Sequence, residues 1–155
     1  METPPPVPVP VWLPFLIIGA FAIVFPAFWC AVAYLLSHLS GWQRLAKYYS
    51  APEPPAPGGG TSHGGVRGKI GGVSYKGVLE LQFVPEGFYL ETIILFRVGH
   101  PRLFIPWSHD TSRRRRHLLW CKLDALTIGD PPLATIALPA SLIESHAPPT
   151  LPLSA

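Results

Sequence analysis

Residues Val11 to Leu36, VWLPFLIIGAFAIVFPAFWCAVAYLL, form an unbroken run of 26 residues without a formal charge. A helix that is apolar on every side has no solvated face, and about 20 such residues cross a hydrocarbon layer roughly 30 Å thick. The run predicts a transmembrane α-helix over 11–39, and the rest of the chain has to be arranged around it. Trp12 and Trp42 bracket it at roughly 45 Å of helical backbone, which suits anchors in the two headgroup layers, with Arg44 and Lys47 beside the second. Pro14 falls in the first turn, where a missing N–H costs little, and Pro26 is expected to kink the helix. Inside the run only Cys30 and Tyr34 offer polar groups, and neither has an ionisable partner there, so no ion or proton path is implied.

The residues ahead of the run hold Glu2 and no Lys or Arg, and the run is longer than a signal-peptide core, so cleavage is not expected. Bulky Trp29 just before Cys30 disfavours lipidation. Arg44, Lys47, Arg67 and Lys69 all follow the run, and the positive-inside rule then puts the N-terminus outside and the C-terminal part in the cytoplasm. A chain of 155 residues has room for this span and one small domain. Its net charge of +3 is concentrated after the span, which suits an anionic membrane face as partner; nothing points to nucleic acid, which is not expected. Cys30 and Cys121 are too few for a disulfide framework or a cysteine metal cluster, and no cofactor is implied.

Five prolines in residues 1–10 predict an extended, proline-rich tail. Ser40-Gly41-Trp42-Gln43 has capping-box spacing, and Trp42, Leu45, Ala46 and Tyr49 share one helical face, so 40–49 reads as a juxtamembrane helix lying in the headgroup layer. Residues 50–65, SAPEPPAPGGGTSHGG, predict a linker that is stiff in its proline half and flexible in its glycine half. Extended, it would hold the next domain as far as roughly 50 Å from the membrane. Its glycines lack the preceding strand, the Ser or Thr and the following helix of a phosphate loop.

Residues 66–146 read as a small mainly-β domain: an antiparallel meander of six to seven strands closed by a short C-terminal helix. Tyr75–Val84 alternates, with Leu79, Leu81 and Phe83 on one face and Glu80 and Gln82 on the other. Val84-Pro85-Glu86-Gly87 is a turn, and Phe88–Phe96 the returning strand. Further strands are expected at Arg102–Trp107, at His117–Ile128 as one long strand or a bent pair, and at Leu133–Leu138, with the helix starting at Pro139. Residues 147–155 are expected to be a disordered tail.

Three constellations bear on function. Arg113-Arg114-Arg115-Arg116, flanked by Arg102, His117 and Lys122, is expected in a hairpin connection. There it would bind anionic lipid at about 1 kcal/mol per basic residue, or simply remain solvated and discourage sheet edges from pairing. The prolines at 101 and 106 confine that segment to an edge strand, which can accept a strand from a protein partner, with Trp107 capping the core. His100, His109 and His117, with Asp110 and Cys121, lack metal-ligand spacing, and adjacent Ser108-His109-Asp110 cannot form a triad because strand neighbours face opposite ways. No catalytic or metal-ligating residue is assigned. Gly19, Ala20 and Ala22 offer a small-residue face through which the span could pack into a larger complex.

Ser40-Gly41-Trp42 at the end of the span, the proline/glycine segment, Tyr75-Lys76-Gly77-Val78-Leu79, and Phe96 to Ser108 (FRVGHPRLFIPWS) together resemble a group of small, uncharacterised bacterial single-pass membrane proteins. The resemblance implies a bacterial inner membrane as the location and brings no activity with it. More loosely, the short strands with a terminal helix resemble pleckstrin-homology-like domains, the GRAM type included, which implies a module that binds lipid headgroups or protein segments. The expected function is a membrane-anchored, non-enzymatic binding or scaffolding module. The alternatives are an accessory subunit of a membrane complex and a metal-dependent hydrolase built on the histidines.

Overall fold

The computed structural model describes residues 10–53, 58–118, 121–148 and 153–154. The proline-rich start, the centre of the expected linker and most of the C-terminal tail lie outside the described residues. Contacts divide the chain into two units, 1–32 and 33–155.

Helix α1 runs from Trp12 to Leu39 with Pro26 inside it, and it is long and apolar enough to cross a membrane. Its side chains before Ala33 are exposed almost throughout, as expected of a helix with no polar face to keep in water. The helix ends where Gly41 takes a left-handed φ of 73°, a conformation other residues adopt at a cost, and α2 (Trp42–Tyr49) begins at once.

The second unit is built on a curled sheet. Strands β1 (Thr61–Ile70), β2 (Val73–Val84), β3 (Gly87–Thr92), β4 (Leu103–Pro106), β5 (Asp110–Leu118), β6 (Cys121–Ile128) and β7 (Ala134–Pro139) are all antiparallel. A two-residue β8 (Leu153–Ser154) adds in parallel to β5, and the order is β4-β3-β2-β1-β7-β6-β5-β8. Helix α3 (Ala140–His146) follows β7 and contributes Ile143 to the core. The predicted alternation of β2 holds: Leu79, Leu81 and Phe83 are buried, and Val84 pairs with Gly87 across the two-residue turn.

Four expectations are corrected. Trp42 and Leu45 of α2 are fully buried in the core with Leu79, Leu103 and Ile136, so α2 is a piece of the β domain and Trp42 is not an interface anchor. The apolar stripe of α2 found apolar side chains of the sheet to cover it. The described parts of the expected linker, 50–53 and 58–65, therefore belong to this unit. Ser50 bridges to Leu103, the Ala51 N–H donates to Arg102 O at 2.9 Å, and β1 starts at Thr61, opposite Phe83. Glycine content suggested flexibility over 58–65, but Gly60 is held where a Cβ would overlap the Phe83 carbonyl, and Gly64 and Gly65 lie within β1. The returning strand ends at Thr92, and Ile94–Phe96 forms a single 3-10 turn, because the non-alternating apolar run beyond Thr92 leaves the sheet. The arginine run is no hairpin connection; it lies within β5, paired residue by residue with β6. His117–Ile128 resolves accordingly into the end of β5 and all of β6.

Because Trp42 fills the core, Trp42→Ala should cost about 3–5 kcal/mol of stability. Exposed Lys47→Ala on the same helix should stay within about 0.5 kcal/mol. Denaturant unfolding of the full chain in detergent micelles measures both, and equal, small effects would return α2 to the surface.

Candidate functional site at the helix exit

A polar network joins the residues after Ala33 to the sheet and the 99–101 segment. Ser37 Oγ donates to Tyr34 O at 2.7 Å, and Ser40 Oγ donates to Ser37 O at 3.2 Å and accepts from the Trp42 N–H at 3.3 Å. The predicted capping box is not formed: α2 is capped by Gly41 with no side-chain hydrogen bond, and Gln43 donates from Nε2 to Gly99 O at 2.5 Å and to Ser37 Oγ at 3.3 Å. The Trp42 indole N–H donates to Pro101 O at 2.9 Å, and its ring meets His100 edge-on at 4.9 Å and Tyr75 at 6.0 Å.

His100 is fully buried. Its Nδ1 lies 3.1 Å from Val98 O, which can only accept, so Nδ1 carries the proton and Nε2 accepts from the Tyr75 hydroxyl at 2.9 Å. Burial pushes the His100 pKa down against hydrogen bonds to Val98 and Phe96, and burial pushes the Tyr75 hydroxyl up against a hydrogen bond with Ser40. Both directions favour the neutral forms, which the hydrogen bond between them uses. Two glycines let the backbones meet. At Gly71 (φ 53°) a Cβ would fall 2.0 Å from Ser40 O, and at Gly99 (φ 74°) 2.7 Å from Ser37 Oγ and 3.2 Å from Tyr34 Cα.

The predicted anion-binding residues separate. Arg113 and Arg115 alternate onto the face that carries Asp124, which is fully buried; Asp124 accepts from Arg113 Nε at 2.9 Å and Nη2 at 2.5 Å and from Arg115 Nε at 2.9 Å. Arg115 also reaches Glu144 of α3. Burial opposes ionisation of Asp124, but hydrogen bonds from Arg115 and Arg113 and their charges outweigh it and hold the carboxyl below its usual range. Arg102 is taken up by Glu91 in a bidentate pair at 2.9 and 3.1 Å, with Arg97 on the same carboxylate at 3.0 Å. Arg114 and Lys122 are exposed, as are Arg44 and Lys47. Trp12 begins α1 and is 60% exposed. The side-chain surroundings of Arg116, His117 and Cys121 lie outside the described residues.

Glu91 and Asp124 were not singled out from sequence, although a signal existed for the second. Alternation in Leu123–Ile128 puts Asp124 on the face of Leu126 and Ile128, and a carboxylate there demands a cation. The edge strand is correctly placed, since β4 closes one end of the sheet, but its start is covered by Ser50 and Ala51. Trp107 is buried and stacks parallel to Phe83, as expected of a core cap. His109 meets the Tyr49 hydroxyl at 3.1 Å beside an open groove of about 450 Å³ lined by Tyr48, Tyr49, Tyr89, Phe104 and Pro106. Among the described residues, no three His, Cys, Asp or Glu side chains converge as metal ligands would. No protein-family model matches the chain, and no curated protein matches it in sequence.

Breaking the buried ion cluster by Asp124→Ala should cost about 3–5 kcal/mol, because it leaves Arg113 buried without its counter-charge. Arg114→Ser, on the exposed side, should cost less than about 0.5 kcal/mol in the same unfolding assay.

Asp110 provides a pH test. Burial raises its pKa to about 6, against hydrogen bonds from Ser112 and Thr127 and the charge of Arg113. A raised carboxyl pKa contributes stability that is full below about pH 4 and is lost as pH rises through 6. His100 acts in the opposite sense, because its lowered pKa favours the fold above the ordinary histidine value. Comparison with Asp110→Asn isolates the carboxyl. The variant should match the wild type at pH 4 and exceed it by about 1–3 kcal/mol at pH 7. A difference that does not change with pH would place Asp110 in solvent.

Proposed function

We propose that this protein is a single-pass, membrane-anchored module that binds or scaffolds at the membrane surface without catalysing a reaction. The observation that carries the reading is the continuity of anchor and module: a helix with no charged residue over its apolar run is followed, after Ser40 and Gly41, by α2, whose Trp42 is a core residue of the β domain. All the Lys and Arg residues follow the span, which supports a cytoplasmic domain and an external N-terminus, and the resemblance to bacterial single-pass proteins supports an inner-membrane location. Seven antiparallel strands and a closing helix support the pleckstrin-homology-like comparison, and with it a binding role. Of the cations singled out from sequence for anionic lipid, Arg44, Lys47, Arg114 and Lys122 are exposed, as are Arg67, Lys69 and Lys76 of β1 and β2, whereas Arg102, Arg113 and Arg115 pair with carboxylates.

The test is expression of the full chain in a bacterium, alkaline carbonate washing of the membranes, and protease treatment of intact spheroplasts and of inverted vesicles. The wild type should stay in the washed pellet, with the β domain digested only in inverted vesicles. Ile23→Arg, near the middle of the run, should cost about 3 kcal/mol of insertion free energy and release a large fraction of the protein. Wild type released by carbonate would end the proposal, and digestion in spheroplasts would reverse the orientation.

A further inference from the structure

The 3-10 turn that leaves β3 carries apolar side chains on the surface of an otherwise well-buried domain. Ile94 is 76% exposed, Leu95 59% and Val98 41%, within five residues of one another. A small soluble domain gains nothing by ordering such residues in water, and contiguous exposed apolar side chains mark an interaction surface. The backbone beneath them is held. The Ile93 N–H donates to Val78 O at 3.0 Å, Phe96 N–H to Ile93 O at 2.9 Å, and His100 N–H to Arg97 O at 3.0 Å. These bonds are made within the protein, so the turn can leave water without stranding those polar groups.

What meets this surface follows from where it lies on the chain. Gly99, next to Val98, sits against Tyr34 and Ser37, and Gln43 clasps Gly99 O. About 20 residues counted from Trp12 complete a hydrocarbon crossing, which assigns Tyr34 to Leu39 to the headgroup layer. In that segment Tyr34, Leu35 and Leu39 are 52%, 57% and 64% exposed, an aromatic and two apolar residues of the kind that face lipid at an interface. Arg97, next to Val98 in sequence, is 54% exposed and paired with Glu91, a cation of the kind that faces headgroup phosphates.

We infer that the Ile94–Val98 turn inserts into the lipid interface beside the exit of α1, giving the β domain a second, apolar foothold in the same bilayer. The inference rests on the membrane-anchor reading of α1. The foothold fixes which face of the domain meets the membrane.

The experiment uses the full chain with Cys30→Ser and Cys121→Ser, reconstituted in vesicles of three parts phosphatidylcholine to one part phosphatidylglycerol. Single cysteines replace Ile23, Ile94, Val98 or Ser141, each carrying a nitroxide label. Collision with oxygen, which concentrates in lipid, is compared with collision with a water-soluble nickel chelate. Labels at 94 and 98 should favour oxygen over nickel several-fold more than the label at 141 does. Leu95→Asp should return the label at 98 to water-like values while leaving the label at 23 in lipid. Labels at 94 and 98 as open to nickel as the label at 141, with 23 in lipid, would overturn the inference alone. Exclusion of both agents at 94 would overturn it in favour of burial against protein, and a water-exposed label at 23 would overturn the anchor reading itself.

Discussion

The burial of one indole organises the second unit. Trp42 lies one residue past the glycine that ends α1, and it is covered completely by the sheet while its N–H is satisfied by Pro101 O. A tryptophan buries on the order of 200 Å² of largely apolar surface, and leaving its N–H unbonded would forfeit part of that gain. Meeting both demands requires the 99–101 segment to come up against α2. That approach aligns His100 with Tyr75, Gly99 with Ser37 and Gln43 with Gly99 O. The glycines at 71 and 99 are consequences of the same closeness, since a side chain at either would have to occupy space already filled by the exit segment.

Charge is arranged by the same logic of burial. Four arginines in succession read as a cationic patch only while the backbone is assumed to present them together. In an extended strand they alternate, and Arg113 and Arg115 turn to the face of Asp124 and, at α3, Glu144. Inward-pointing charges on a strand near the end of the sheet discourage foreign strands from pairing there, because an incoming partner would have to desolvate them again. The surface left to attract anions is smaller than composition suggests, and the exposed apolar turn at Ile94–Val98 gains weight by comparison.

The sequence was most legible where one physical demand acted alone. The apolar run dictates α1, because a single long apolar segment can satisfy its backbone hydrogen bonds within itself only as a helix. The alternation in Leu79–Phe83 dictates a half-buried strand, and Pro85 with Gly87 closes it into a hairpin. Legibility failed where two demands competed. Trp42 satisfies an interface pattern and a core pattern equally well, and only the presence of Leu79, Leu103 and Ile136 around it decides for the core. The glycines of 60–65 lower strand propensity, yet Thr61 to His63 pair with Phe83 to Leu81 because the edge of β2 opposite β3 presents backbone groups that need partners.

The sequence by itself determined that this chain carries a membrane-spanning length of apolar helix followed by one small β-rich unit with a cationic balance, because those properties depend on local composition and period. Tertiary structure alone decided where the unit begins, which arginines remain available, and that the helix exit is locked to the sheet through Trp42, Tyr75 and His100. Each of these depends on partners distant in sequence: Pro101 for Trp42, Asp124 for Arg113 and Arg115, Glu91 for Arg102. A charge or a ring declares its chemistry in one letter, but whether it is buried, neutralised or exposed is a property of what the fold brings against it.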